Sequence, residues 1–236
     1  MQPAEPDQVI DALTRSDVWP VDLAPGAGFV PLPDLVAGGL AERICTRLGG
    51  APRRVGRSAV VMGLASRLWT ATVVSVARDG VLVDVEHLVG ADDEGSLVLG
   101  LAQPRGFLDP RLEEVDAAVQ RVLRPVVESL DLSPRLLWGN VAASLHAVPR
   151  VHDLPAAQRL VADLLARAPY AGELDESVGS RARRRTCCLF YLVPGAGVDL
   201  EYMHPDEVSR RILNDQSDLG LISFVTPGRE LTAIPW

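Results

Sequence analysis

Twenty consecutive residues, Ser58 to Ala77, contain a single charged side chain, Arg67. A run this long and apolar has to be covered on every side, by lipid or by protein, because about 20 apolar residues in a helix are also what crosses a bilayer. Arg67, Ser66, Ser75, Thr70 and Thr72 interrupt it with polar groups. They favour a buried core helix, capped by Ser58 and ended before Asp79-Gly80, over a membrane span. The rest of the chain must then be laid around that helix. Its β-branched tail, Thr70 to Val76, leaves a strand open there, which could form a hairpin with Val81 to Val85 across the Asp-Gly step.

Apolar spacing supplies the covering elements. Leu35, Val36, Leu40, Ile44 and Leu48 predict a helix from Leu32 to Gly49, with Gly49-Gly50 as its stop. A shorter helical run lies near Pro6 to Arg15. Asp109-Pro110 opens an amphipathic helix through Leu112, Val115, Val119, Val122, Leu123, Val126, Val127 and Leu130, with Pro125 expected to kink or interrupt it. Further helices are expected from Pro134 to Pro149 and from Leu154 to Ala168. Two compact apolar segments read as strands. One is Leu97 to Leu101; the other is Thr186 to Val193, bounded by Pro194-Gly195-Ala196-Gly197. The expected fold class is α+β, a mainly helical domain with a small β-sheet.

With 23 basic and 31 acidic residues the net charge is −8, and this acidity argues against nucleic acid as a partner, which phosphate neutralisation would require. The first 20 residues carry Glu5, Asp7, Asp11 and Asp17 with neither a cationic start nor an apolar core, so no signal peptide is expected and a cytoplasmic location follows. Three cysteines, Cys45, Cys187 and Cys188, two of them adjacent, exclude a disulfide framework. Cys45 falls beside Ile44 and Leu48 on an apolar helix face, where a buried structural thiol is expected. Composition changes after Val198: residues 1–198 hold 26 Ala and 2 Ile, residues 199–236 hold 1 Ala and 3 Ile. The chain therefore divides into an irregular segment 1–31, a domain 32–198 and an atypical tail 199–236, for which a separate origin is expected.

Two constellations could carry chemistry. Arg183-Arg184-Arg185 precedes Thr186-Cys187-Cys188-Leu189-Phe190-Tyr191, and thiolates beside cations are what iron–sulfur clusters and zinc need. A pair of core cysteines on opposite faces of a strand is the competing reading. Upstream, Trp138-Gly139-Asn140 sits inside a helical pattern. There Gly139 would let another segment approach closely and Asn140 could hydrogen-bond nearby backbone, with plain packing as the alternative. His87, His146, His152 and His204 lack ligand spacing, and Asp92-Asp93-Glu94 reads as a solvated loop.

Taken together, the Arg run, Cys-Cys-Leu-aromatic-Tyr, the following Pro-Gly, the Leu-Trp-Gly-Asn step and Gly63-Leu64-Ala65-Ser66-Arg67-Leu68-Trp69 resemble the FhuF-like ferric-siderophore reductases over roughly Leu40 to Val198. The resemblance implies a cytoplasmic oxidoreductase that reduces chelated Fe(III) to Fe(II) through a [2Fe–2S] cluster. Its implied substrate is a ferric siderophore, and an unidentified electron donor is its implied partner. It implies cluster ligands at Cys187 and Cys188, an acidic chelate or donor attracted by Arg183, Arg184 and Arg185, and a substrate side shaped by Trp138 and Asn140. The family pattern continues with ten residues, a cysteine, two residues and a cysteine. Here those positions are Asp199 and Tyr202. A cluster-less siderophore-binding relative, or an inactive truncated product, is the alternative.

Overall fold

The computed structural model describes residues 1–15, 21–175 and 183–194. The tail from 199 onward and the Gly195-Ala196-Gly197 step lie outside them. In chain order the elements are β1 (Gln2–Pro3), α1 (Pro6–Thr14), β2 (Val21–Asp22), β3 (Val30–Pro31), α2 (Leu32–Ala37), α3 (Leu40–Arg47) and α4 (Arg53–Trp69). A π-helical stretch (Thr70–Val74), α5 (Ser75–Asp79), β4 (Val81–Val83), β5 (Leu88–Asp93), β6 (Ser96–Leu101) and β7 (Gly106–Leu108) come next. The remainder is α6 (Leu112–Ser129), α7 (Pro134–Val151), α8 (Ala157–Leu165), β8 (Leu174–Asp175) and β9 (Arg183–Arg184). The fold is α+β and mainly helical, as expected, but the strands among the described residues form three small sheets. These have the orders β1-β7-β4, β2-β6-β5-β3 and β8-β9, all antiparallel except the β2–β6 pair.

The apolar run is the central helix. It starts five residues before Ser58, at Arg53, because Pro52 supplies the extended residue from which a helix can begin. From Arg53 to Asp79 it runs 27 residues, long and apolar enough to cross a membrane, yet 89% of its most apolar window is buried within the protein. The β-branched segment stays helical but widens into the π-helical stretch, where Thr72 turns its hydroxyl onto the Leu68 carbonyl at 2.8 Å. Gly80, at φ 67°, ends the helix. The hairpin alternative is not realised: β4 pairs with β7, in the register Val81 to Leu108.

The expected helix from Leu32 to Gly49 is two helices. Gly39 adopts φ 88°, a left-handed conformation that breaks the run between α2 and α3, while Leu35, Leu40 and Ile44 still reach the core from both sides. Expected as a break, Pro125 instead lies on the exposed side of a continuous α6.

Helices α4 and α7 run in the same direction with a constant offset of 82 residues. Asn140 meets Ser58, Ser144 faces the Met62 carbonyl and the His152 ring reaches Thr70 Oγ1 at 2.9 Å. These polar rungs fix the axial register of two otherwise apolar faces. Trp69, Leu64, Leu68, Leu137, Leu145 and Tyr170 fill the layer between them and α6 and α8. Each such side chain contributes about 1.5–3 kcal/mol by leaving water. The second turns of α4 and α7, at Ser58 and at Gly139-Asn140, flank the segment 183–194, and this is where the fold positions the cysteines.

Candidate functional site

Thr186 to Val193 is not a strand. Pairing ends after Arg183 and Arg184, which lie opposite Asp175 and Leu174 in β9 and β8. The chain then bends through Cys187 and Cys188, passes Leu189 in a left-handed conformation at φ 68°, and closes in a 3-10 turn over Phe190–Leu192. The reason is tertiary. The Cys188 carbonyl, which a sheet ladder would use, accepts instead from the Ser58 hydroxyl on α4 at 2.9 Å. A bulky residue at positive φ carries strain that its surroundings must hold in place.

This bend changes the chemistry of the cysteine pair. In a strand the two side chains would alternate between opposite faces; here the bend takes both residues out of any ladder. Cys188 is core, 1% exposed, while Cys187 is half-buried. The Cys187 sulfur also accepts from the Leu189 N–H at 3.4 Å. Its pKa is pushed well above the ordinary thiol value, first by the hydrogen bond with Cys188 and then by burial. The Leu189 N–H and the Arg184 charge pull the other way and are outweighed. Of the Arg run, Arg184 thus acts in the expected direction.

Trp138-Gly139-Asn140 lies beneath this turn on α7. A Cβ on Gly139 would stand 2.3 Å from Thr186 Oγ1, so the close approach of the two segments requires glycine there. Asn140 is wholly buried. Its amide donates to Ser58 Oγ at 2.8 Å, and its carbonyl oxygen accepts from Arg184 at 2.5 Å. Arg184, Asn140, Ser58 and the Cys188 carbonyl therefore form one buried chain of hydrogen bonds. Trp138, 8% exposed, packs edge-on against Tyr170 at 5.9 Å with the Arg124 guanidinium 5.8 Å above its ring. Arg185 is exposed and donates its backbone N–H to the Glu173 carbonyl. For Arg183 only the backbone pairing with Asp175 is described. Cys45 sits away from this network in the α3–α4 contact, with its sulfur 3.4 Å from the Pro52 carbonyl, and is buried as expected.

Sequence reasoning missed Ser58, Thr186 and Glu173 as parts of the site. Ser58 reads as a helix cap, because nothing local shows that the helix has begun five residues earlier. Thr186 Oγ1 and Glu173 Oε2 are buried without a hydrogen-bond partner among the described residues, and Arg135 approaches the other Glu173 oxygen at 3.6 Å.

A model of the FhuF 2Fe-2S C-terminal domain matches residues 184–198. No curated protein and no solved structure matches the chain. The matched stretch begins at the arginine bound to Asn140 and contains the whole thiol turn.

A [2Fe–2S] cluster of this type takes four thiolates. The turn offers two. Among the described residues no three of His, Cys, Asp and Glu stand together as a metal site, and the chain holds one further cysteine, Cys45, which is placed in the α3–α4 contact. The donor set described here does not fit the cluster.

Proposed function

We propose that this chain is a cytoplasmic ferric-siderophore-handling protein related to the FhuF-like reductases, and that it binds the ferric chelate without reducing it through a resident cluster. The coincidence of the matched stretch with the Trp138-Gly139-Asn140 support carries the first part. The glycine notch at Gly139, buried Asn140 and Arg184 together seat that turn on α7. The two-thiol donor set carries the second part, since one chain supplies half of what a four-thiolate cluster takes.

In this reading the anionic chelate is drawn by exposed Arg185, next to the Glu173 that Arg135 approaches, and Trp138, with the Arg124 guanidinium over its ring, offers an apolar flank. Asn140 is already saturated by Ser58 and Arg184. It therefore acts on the chelate through the position of Arg184. Hard oxygen donors hold Fe(III) within the chelate, and no protein ligand to that iron is needed for binding.

Two measurements on the purified chain test this. Anaerobic reconstitution with iron and sulfide should leave it colourless and free of acid-labile sulfide. Titration with a ferric siderophore should quench tryptophan fluorescence to saturation at one equivalent, and Arg185→Glu should weaken that binding. A stoichiometric, reducible cluster would restore the reductase reading, and absence of siderophore binding would remove both.

A further inference from the structure

Three aromatic rings, Trp69, Tyr170 and Trp138, follow one another from the core to the helix turn that seats the cysteine segment, and the middle ring is hydrogen-bonded to a buried carboxylate. We infer that Tyr170 is a redox-active tyrosine: a strong one-electron oxidant outside the protein takes its electron through Trp138, and its phenolic proton moves to Asp116.

Four observations support it. The first is ring contact. Tyr170 meets Trp138 edge-on with centroids 5.9 Å apart and Trp69 edge-on at 5.7 Å, so neighbouring π-systems touch and an electron need cross no saturated chain between them. The second is access. Trp69 and Tyr170 are buried away from any bulky oxidant, whereas Trp138 keeps an edge at the surface, 8% exposed, and is the ring through which an electron can leave. The third is the proton. Removing an electron from a phenol makes it a strong acid, so the step needs a base already in place. The Tyr170 hydroxyl donates to Asp116 Oδ1 at 3.0 Å, and buried Asp116 is itself oriented by Gln120 Nε2 at 2.8 Å and Arg167 Nε at 3.1 Å. At rest, burial and then the Asp116 charge raise the phenol pKa, so the proton stays on oxygen until the electron goes. The fourth is where the oxidising equivalent stops. The Arg124 guanidinium 5.8 Å over the Trp138 ring disfavours a lasting indole cation there. Trp69 Nε1 is buried without a hydrogen-bond partner among the described residues, so a cation on that ring would be neither solvated nor relieved of its proton. Tyr170, with its base in contact, ends the transfer as a neutral radical. One electron goes to the oxidant, one proton passes from Tyr170 Oη to Asp116 Oδ1, and no bond between heavy atoms forms or breaks. A dissolved thiolate returns the electron, becoming a thiyl radical, and Asp116 returns the proton.

This activity would make the chain a sink for strong oxidants such as oxygen-centred radicals, drawing them off beside the Gly139 notch on which the cysteine segment rests. It does not depend on siderophore binding, so the two proposals fail separately. A chain that binds no chelate would still form the radical, and a chain that binds the chelate but forms no radical at Tyr170 would lose this inference alone.

The test is flash-quench oxidation of the whole chain by a ruthenium(III) polypyridyl generated in solution, followed by transient absorption and by electron paramagnetic resonance of freeze-quenched samples. The chain has three tyrosines, Tyr170, Tyr191 and Tyr202, so Tyr191→Phe/Tyr202→Phe leaves Tyr170 alone. In that background an indole radical should convert to a tyrosyl radical, more slowly in D2O because a proton moves with the electron. Adding Tyr170→Phe should abolish the tyrosyl signal and leave the indole one. In the otherwise unaltered chain, Tyr170→Phe should likewise remove the D2O-sensitive tyrosyl component, a readout that does not need the double background to fold. Asp116→Asn should slow radical formation by about 100-fold or more, the worth of a positioned proton acceptor, and the D2O effect reports the same step if that variant is unstable. Trp138→Phe should slow it as well. Absence of a tyrosyl radical where Tyr170 is the sole tyrosine, a rate unchanged in D2O, or undiminished formation in Trp138→Phe would each overturn the assignment.

Discussion

Gly139→Ala tests whether the thiol turn is held by its close approach to α7. The new methyl carbon would lie 2.3 Å from Thr186 Oγ1, against the roughly 3.5 Å at which such atoms first attract, so the 183–194 segment must retreat by about 1 Å. Rotating Thr186 does not remove the crowding, because its β-branched side chain presents a methyl group when the hydroxyl turns away. Overpacking of this kind costs about 1–3 kcal/mol. Retreat also loosens the adjoining bonds of Arg184 to Asn140 and of Ser58 to the Cys188 carbonyl, each worth about 0.5–1.5 kcal/mol. Against this, Ala in a helix interior gains about 1 kcal/mol over Gly. The balance is a loss of about 1–2 kcal/mol confined to the docked segment, which opens it about 5–30 times more often. Cys188, 1% exposed, reports that opening directly. Its alkylation under native conditions should accelerate by that factor while the melting temperature of the helical body moves little. In Gly139→Ala/Thr186→Ala the clash partner is gone and labelling should return toward the parent rate. A Gly139→Ala protein that melts higher and labels Cys188 at the parent rate would refute the packing of the turn described here.

Other parts of the fold make equally definite predictions. Burial, then the Arg78 charge, lowers the His152 pKa from 6.5 to about 4. The unfolded chain therefore takes up the proton first as pH falls, and stability present above pH 6.5 is lost down to about pH 4. With allowance for residual hydration this amounts to about 2 kcal/mol, visible in urea midpoints and flattened in His152→Gln. Gly56→Ala would place a carbon 2.2 Å from the Ala41 carbonyl oxygen and 2.5 Å from the Cys45 sulfur. It should destabilise by about 3 kcal/mol or prevent folding, and Cys45→Ala should not rescue it because the backbone clash remains. Tyr170→Phe removes the 3.0 Å bond to Asp116, which keeps Gln120 and Arg167, and should cost about 1 kcal/mol in denaturant unfolding.

The elements that sequence reveals are those whose cause is local. The run from Ser58 to Ala77 announces a covered segment because its apolarity demands cover, its polar interruptions favour protein over lipid, and the 27-residue helix is largely buried. Gly139 is likewise legible, since a glycine inside a helical pattern between Trp and Asn has few uses besides close approach. The break at Gly38-Gly39 is hidden in the sequence, because apolar spacing continues across it and both α2 and α3 turn their apolar sides to one core. Pro125 is the opposite case: its local penalty is real, but an exposed position on a long amphipathic helix tolerates it.

The cysteine turn marks where local reasoning ends. Thr186 to Val193 is compact, apolar and aromatic, and propensity alone favours a strand. What decides its conformation is the Ser58 hydroxyl, 130 residues away in sequence, competing for the Cys188 carbonyl. Ser58 in turn is available because Asn140, 82 residues from it, holds its oxygen from the other side. Neither partner signals this from its own neighbourhood, as a serine in a helix and an asparagine after glycine both have ordinary local uses. The consequence falls on the site. Had the ladder won, the two side chains would alternate across a sheet and the Cys188 carbonyl would be spent on a neighbouring strand. Because the long-range bonds win, Cys188 is held in the core at 1% exposure, and removing Ser58 should release it before it unfolds the helix that carries Ser58. Ser58→Ala, then, should leave helical content intact while alkylation of Cys188 under native conditions accelerates; a parent labelling rate would place the cause of the turn elsewhere.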